Sequence, residues 1–270
     1  MSTFWCCPLC REPLQREGNS LQCAAHHCFD YAREGYVNLL PAQRKRSREP
    51  GDSREMIDAR RRVHGASLYQ PLVDAIVATL RPLIAEGDTV LDLGCGEGYY
   101  SQGLLAAALP INLFGLDIAK AAVRLAAKAC PAGEFAVASA FDVPLPEQSM
   151  SAVVSVFAPA SDAELLRLLK PGGHYLKVAP GANHLWELRQ LLYNAPRPHE
   201  QSQACPGGME VVAQNPVTFT LHLQGQLLQD LVAMTPYAYG GQRENKARLD
   251  ELDSLQCQAD FALTLYRRSE

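Results

Sequence analysis

The stretch "DTVLDLGCGEGYYSQGLLAAALP", from Asp88 to Pro110, constrains the fold more than any other part of the chain. Its first six residues, with Val90, Leu91 and Leu93, make a segment too short for a helix and suited to a buried strand. Glycines at 94, 96 and 98 break that run, and apolar residues at helical spacing follow. A strand that passes through a glycine turn directly into a helix opens a βαβ unit, and the pattern repeats downstream. "INLFGLD" reads as a strand ending at Asp117, "IAKAAVRLAAKAC" as a helix, and "GEFAVASA" and "MSAVVSVFAP" as strands. "DAELLRLLK" reads as a helix and "GGHYLKVAP" as a strand, while "LYQPLVDAIVATLRPLIA" from Leu68 supplies a helix ahead of the first strand. Such alternation predicts an α/β fold, a Rossmann-like, doubly wound and mostly parallel sheet with its ligand at the carboxyl ends of the strands. "GMEVVAQNPVTFTLHLQGQLLQDLVAMTPYAYGG" reads as a strand, a helix and a turn, and "FALTLYRR" as a closing strand, so two late antiparallel strands are expected to complete the sheet.

The glycine spacing selects the ligand. The dinucleotide fingerprint G-x-G-x-x-G needs its third glycine at position 99, where Tyr99 stands. What is present is D-x-G-x-G-x-G, opened by Asp92 and carried by Gly94, Gly96 and Gly98, the form associated with S-adenosylmethionine enzymes. Bare backbone lets the chain approach a bulky zwitterion closely. Asp117, 19 residues past Gly98 at the end of the second strand, is placed to accept hydrogen bonds from both ribose hydroxyls. The plain alternative is a tight turn in some other sheet protein.

Five of the nine cysteines fall in the first 28 residues. An odd number, crowded at one end of a chain without a secretory signal, argues for metal ligation over a disulfide framework. Cys7 and Cys10 form C-x2-C, and Cys23 and His27 follow as C-x3-H, two pairs of donors suited to tetrahedral zinc. Cys6 competes with Cys7, and His26 and Cys28 compete with His27. A head of about 40 residues buries too little apolar surface to fold alone, so coordination would supply its stability as a structural site. The scattered Cys95, Cys130, Cys205 and Cys257 read as small buried hydrophobes.

The chain has 270 residues, 47% of them apolar, enough for one good-sized domain and a smaller one. No run of about 18 apolar residues suggests a membrane span, and a cytoplasmic location is expected. The net charge of −4 is unevenly spread: residues 1–64 hold 11 Lys/Arg against 8 Asp/Glu, the remainder 14 against 21. The excess lies in Arg44, Lys45, Arg46 and Arg48 and in Arg60, Arg61 and Arg62, clusters that fit either solvated surface or a phosphate-gripping patch. The expected organisation is a zinc-binding knuckle over 1–40, a basic linker over 41–66 and a methyltransferase domain over 67–270.

The motifs "CPLC", "FDYAREGYVNLLPAQRKRSREPGDSREM", "LYQPL", "LDLGCGEGYYS", "FGLDIAK", "PGANHLWEL" and "MTPYAY" occur in an order that resembles the 23S rRNA guanine-N1 methyltransferase family, RlmA-like, essentially end to end. The resemblance implies a class I S-adenosylmethionine-dependent methyltransferase sheet with one structural zinc on Cys7, Cys10, Cys23 and His27. It also implies cofactor contacts from Tyr69, Tyr100, Ser101 and His184, beside Asp92, Gly94, Gly96, Gly98 and Asp117. The substrate it implies is a guanine in a 23S rRNA hairpin loop, of the position-745 type, and the assembly a homodimer. From the residues alone, Tyr69 would equally anchor a helix, Tyr100 cover the turn, and His184 cap or pack the next helix. "ASAFDVPLP" lacks an acid directly after the third strand, which leaves Ser139 and Asp142 as competing contacts to the adenine.

Methyl transfer from a sulfonium demands chiefly that nucleophile, methyl and leaving sulfur be held in line, so no covalent nucleophile is expected. Guanine N1 bears a proton and lies on the pairing edge, so the base must be unpaired, and Phe157 and Tyr237 are candidates to stack on it. Two rival readings are a small-molecule methyltransferase and a non-catalytic RNA-binding protein with a degenerate cofactor fold.

Overall fold

The computed structural model describes residues 2–44, 47, 50–200, 204–238, 249 and 251–269. The head is a four-stranded antiparallel sheet of β1 (Ser2–Cys6), β2 (Pro13–Glu17), β3 (Ser20–Gln22) and β4 (Cys28–Asp30), paired in that order. Its chain then crosses into the body: β5 (Tyr36–Asn38) is the parallel edge strand of the main sheet. Helix α1 (Arg54–Gly65) follows, started by Ser53, whose hydroxyl accepts from Met56 N–H. Within the stretch expected as a linker, then, residues 54–65 are helical. The buried apolar residues of α1 are split, with Ile57 on one side and Ala59 and Val63 on another, more than about 100° away around the helix, and half of its side chains are charged.

Next come α2 (Gln70–Leu80), β6 (Asp88–Leu93), α3 (Tyr99–Ala106), β7 (Ile111–Asp117), α4 (Lys120–Ala129) and β8 (Glu134–Val137). They are followed by β9 (Met150–Val156), α5 (Asp162–Leu168), β10 (Leu169–Pro180), α6 (Trp186–Leu192), β11 (Met209–Gln224), α7 (Gln226–Ala233) and β12 (Ser254–Arg268). The main sheet has the order β11-β12-β10-β9-β6-β7-β8-β5. Its inner pairs are parallel, and β12 and β11 close one side antiparallel, as expected from the late strands.

The two faces of the sheet are covered differently. One buries Val90, Leu113, Val154 and Phe261 against α2, α3, α6 and α7, and, further along, Phe135 and Val137 against α4. On the other, Leu91, Leu93, Phe114 and Leu116 pack against α5 and against the zinc head itself, through Trp5, Cys7, Leu14 and Leu21. Trp5 meets the Phe114 ring edge-on at 5.7 Å and is fully buried. Each such apolar side chain removed from water contributes about 1.5–3 kcal/mol. A head of this size therefore draws stability from the sheet face it covers. Among the described residues no helix is long and apolar enough to cross a membrane.

Candidate functional site

The head's four donors converge. Cys7 Sγ and Cys23 Sγ lie 3.5 and 3.4 Å from Nδ1 of His27, and Cys10 Sγ lies 3.7 Å from Cys23 Sγ. A tetrahedral zinc with ordinary bond lengths sets sulfur–sulfur edges of about 3.8 Å and sulfur–nitrogen edges of about 3.6 Å, so the donor set fits one ion. Two tight turns produce this: Arg11 N–H bonds to Cys7 C=O, and His26 N–H to Cys23 C=O. The competitors are directed elsewhere. Cys6 is buried with its N–H on Pro144 C=O, whereas His26 and Cys28 are exposed. None of the nine cysteines is in a disulfide; Cys95, Cys130 and Cys257 are buried as expected, whereas Cys205 is exposed.

At the carboxyl end of β6 the chain turns through Gly94, Gly96 and Gly98, all at positive φ. A methyl group on Gly94 would lie 2.3 Å from Cβ of Ala158, and one on Gly98 would lie 2.9 Å from Cα and Cβ of Ala126. Those two positions need glycine for close packing against the loop after β9 and against α4. Gly96 differs: it is buried, and a methyl there would meet only Nη1 of Arg60, at 3.7 Å, an ordinary contact, so close packing does not demand glycine at this position. Asp117 accepts from Gly96 N–H at 3.1 Å and from Ala119 N–H at 2.8 Å, tying the second strand to the turn. Burial pushes its carboxyl above the ordinary range despite those donors.

Asp92 occupies a different place from the one the motif suggests for a ligand contact. It is buried beneath the turn, where it accepts from Ser101 Oγ at 2.6 Å and so braces β6 against α3. Burial, with the Asp117 and Glu97 charges adding to it, raises its pKa to about 7. Ser101, fully buried, is that brace's other half.

The aromatic candidates form a connected group. His64 stacks on Tyr99 at 4.0 Å and meets Tyr69 and Tyr100 edge-on at 5.6 and 5.9 Å. Tyr69 is buried against Phe261 at 5.8 Å, Phe261 lies 4.8 Å from His184, and His184 lies 5.5 Å from Phe157. The Nδ1 of His184 accepts from Asp260 N–H at 3.2 Å. Burial lowers its pKa to about 4, which makes the ring neutral with its proton on Nε2. Phe157 is held at φ 54°, a conformation uncommon outside glycine, with 49% of its surface exposed, next to the Ala158 that packs on Gly94. Tyr237 instead packs against Tyr193, its hydroxyl 2.9 Å from Nε2 of His199.

Several neighbours of the site carry no motif in the sequence. Glu97, inside the turn, pairs with His64 Nδ1 at 2.6 Å, and both side chains are buried. Arg62 forms a double hydrogen bond to buried Asp230 of α7 at 2.7 and 2.8 Å, and Arg61 is exposed. The second basic cluster is thus divided among three surroundings. Lys45, Arg46 and Arg48 of the first lie outside the described residues, as does the side chain of Arg44. Arg11 of the head pairs with Asp142 and donates to Val143 C=O at 2.8 Å, while Ser139 Oγ accepts from Phe141 N–H. Asp142 therefore couples the head to the loop after β8.

Two family models match separate parts of the chain. Residues 5–48 match the RlmA N-terminal zinc ribbon family, and residues 90–173 match a methyltransferase domain family. A "23S rRNA (guanine(748)-N(1))-methyltransferase" of Streptomyces fradiae is 35% identical over 250 residues, covering 90% of this chain and 88% of its own. YxjB of Bacillus subtilis, provisionally named for the same class of reaction, is 34% identical over 273 residues, covering 96% of this chain and 95% of its own. Among solved structures, a chain from the complex of the Haloferax volcanii Trm112 methyltransferase activator with a methyltransferase superposes with TM-score 0.51 at 22% identity. It covers 81% of this chain and 98% of that one, and speaks for the fold alone. With its ribbon, its glycine turn and this end-to-end likeness, the chain belongs to the RlmA-like 23S rRNA guanine-N1 methyltransferase family, as an S-adenosylmethionine-dependent enzyme carrying a structural zinc.

Proposed function

We propose that the protein methylates N1 of an unpaired guanine in a hairpin loop of 23S rRNA, at a position of the 745 type. The relative from Streptomyces fradiae is named for position 748. The observation that carries the reading is one juxtaposition. The glycine turn, with Asp117 bonded to Gly96 N–H, sits at the same strand ends as the half-exposed ring of Phe157.

When bound, S-adenosylmethionine supplies an activated methyl group and a neutral leaving sulfide. The residues placed to hold it are Gly94, Gly96, Gly98 and Asp117, with Tyr69, Tyr100 and His184 forming the surrounding wall; Asp92 and Ser101 hold the turn from beneath. Phe157 offers an aromatic face to a base taken out of its stack. Held neutral, with Nδ1 already accepting, His184 serves better as a donor from Nε2 than as the group that takes the guanine proton.

The knuckle over 1–40 acts as the part that grips the folded RNA while the body over 67–270 presents the methyl group. Arg44, Lys45, Arg46 and Arg48 supply the phosphate contacts between them, and paired copies of the chain accommodate the loop. Reversing those four charges should weaken RNA binding and flatten its salt dependence while leaving cofactor affinity alone. Undiminished methylation of 23S rRNA by that variant would refute the grip. A small-molecule methyltransferase would need neither the ribbon nor its clasp on the loop after β8.

A further inference from the structure

Helix α1, with the turn before it, roofs the cofactor turn. Gly51, at φ 91°, is packed so tightly that a methyl group on it would lie 2.8 Å from Cβ of Ala119, two residues past Asp117. The next residue, Asp52, accepts from Arg60 Nη2 at 2.5 Å. That bond draws the Arg60 guanidinium over Gly96, with Nη1 3.9 Å from Glu97 Oε2 and 3.7 Å from where a Gly96 methyl would stand. Glu97 is meanwhile held by His64 from the same helix, and Arg62 fixes the helix to Asp230. Nη1 makes no hydrogen bond among the described residues.

The charges around this point are uneven. Asp52, Asp92, Glu97 and Asp117 converge on the turn, and Arg60 is the guanidinium that acts on both Glu97 and Asp117. S-adenosylmethionine carries two cationic centres, its sulfonium and α-ammonium, and one anion, its α-carboxylate. Among the described residues Arg60 is the guanidinium at this point, and a planar guanidinium with a spare N–H is the group that best recognises a carboxylate.

We propose that Arg60 binds the α-carboxylate of the cofactor's methionine end, with Asp52 and the His64–Glu97 pair as positioning residues that aim it. The proposal rests on the S-adenosylmethionine assignment and goes beyond it by naming the residue that reads the amino-acid end. It also gives the "PGD…AR" segment a role in the cofactor pocket, where the sequence suggested only surface or an RNA contact.

Calorimetric binding of two ligands tests it: S-adenosylhomocysteine, and its decarboxylated form, which lacks only the carboxylate. The full-length wild type should prefer the first by about 10–100-fold, the range of a charge-assisted hydrogen bond. Arg60→Met should lose most of that preference while binding the decarboxylated ligand within about twofold of wild type. Arg60→Lys should retain part of it. A ratio that is the same in wild type and Arg60→Met, or equal loss of both ligands, would overturn the assignment. So would a wild type with no preference, a measurement that needs no variant to fold. Failure of the wild type to bind either ligand would instead overturn the cofactor reading beneath it.

Discussion

Replacing Gly94 by alanine tests whether the glycine turn is fixed by contact with the loop after β9. The new methyl would lie 2.3 Å from Cβ of Ala158, against a comfortable carbon separation of about 3.5–4.0 Å, so one side must move by more than about 1 Å. Overpacking of this kind costs about 1–3 kcal/mol. The φ of 80° at Gly94 adds about 1–2 kcal/mol for any L side chain, giving a total of about 2–5 kcal/mol. The next Ala158 atom, its Cα, is 3.7 Å away, an ordinary contact, so Ala158→Gly removes the overlap and leaves the backbone cost. Urea unfolding of wild type, the two single variants and the double variant should therefore show a favourable coupling of about 1–3 kcal/mol, with S-adenosylhomocysteine affinity partly restored in the double variant. Additivity within about 0.5 kcal/mol would show that the overlap does not govern the turn and would refute the reasoning.

Asp92 supplies a pH test. Its folded carboxyl keeps a proton up to about pH 7 whereas the unfolded one releases it near 3.8, so its contribution is full below the lower value and lost as the pH rises to the upper. Ligand-free protein should lose on the order of 4 kcal/mol across that window from this group, and Asp92→Asn should flatten the decline; an unchanged slope in denaturant titrations would contradict it. Removing zinc with a chelator should release Trp5 from the sheet face, seen as a red shift of tryptophan emission in a Trp186→Phe background, and should lower the midpoint of thermal unfolding. An unshifted spectrum would show that the head docks without its metal. Phe157→Ala should lower kcat/KM for RNA about 10–100-fold, as expected from the loss of one base stack, with S-adenosylhomocysteine affinity unchanged and Phe157→Tyr near wild type. A parallel loss of ligand affinity would make Phe157 a packing residue.

Local signals made the body legible. The strand, glycine turn and helix around Gly94–Gly98, and the acid at Asp117, are written in short runs whose periodicity and chain reversals need no distant partner. The zinc donors were legible for the same reason, since two tight turns place each pair, and the choice of Cys7 over Cys6, which spacing left open and the family resemblance made, agrees with the four donor atoms that converge. Strand β5 was not legible: three residues carry no period, and their partner β8 lies about a hundred residues further on. Helix α1 was hidden by its arginines, because its few buried apolar residues are split between two sides and polar contacts of Arg60, Arg62 and His64 do much of its docking. His64 had no signal at all; its meaning comes from Glu97, 33 positions away. Asp92 was legible as the residue that opens the turn but not as a buried brace, since the motif fixes its position and not the direction in which its carboxyl is used.

Nucleoside mass spectrometry of 23S rRNA that lacks its own modification, treated with the purified protein and S-adenosylmethionine, bears most directly on the activity. N1-methylguanosine confined to a hairpin-loop fragment is the expected product. Methyl label recovered only in small molecules, or a methyl group on another base or ring position, would contradict the account.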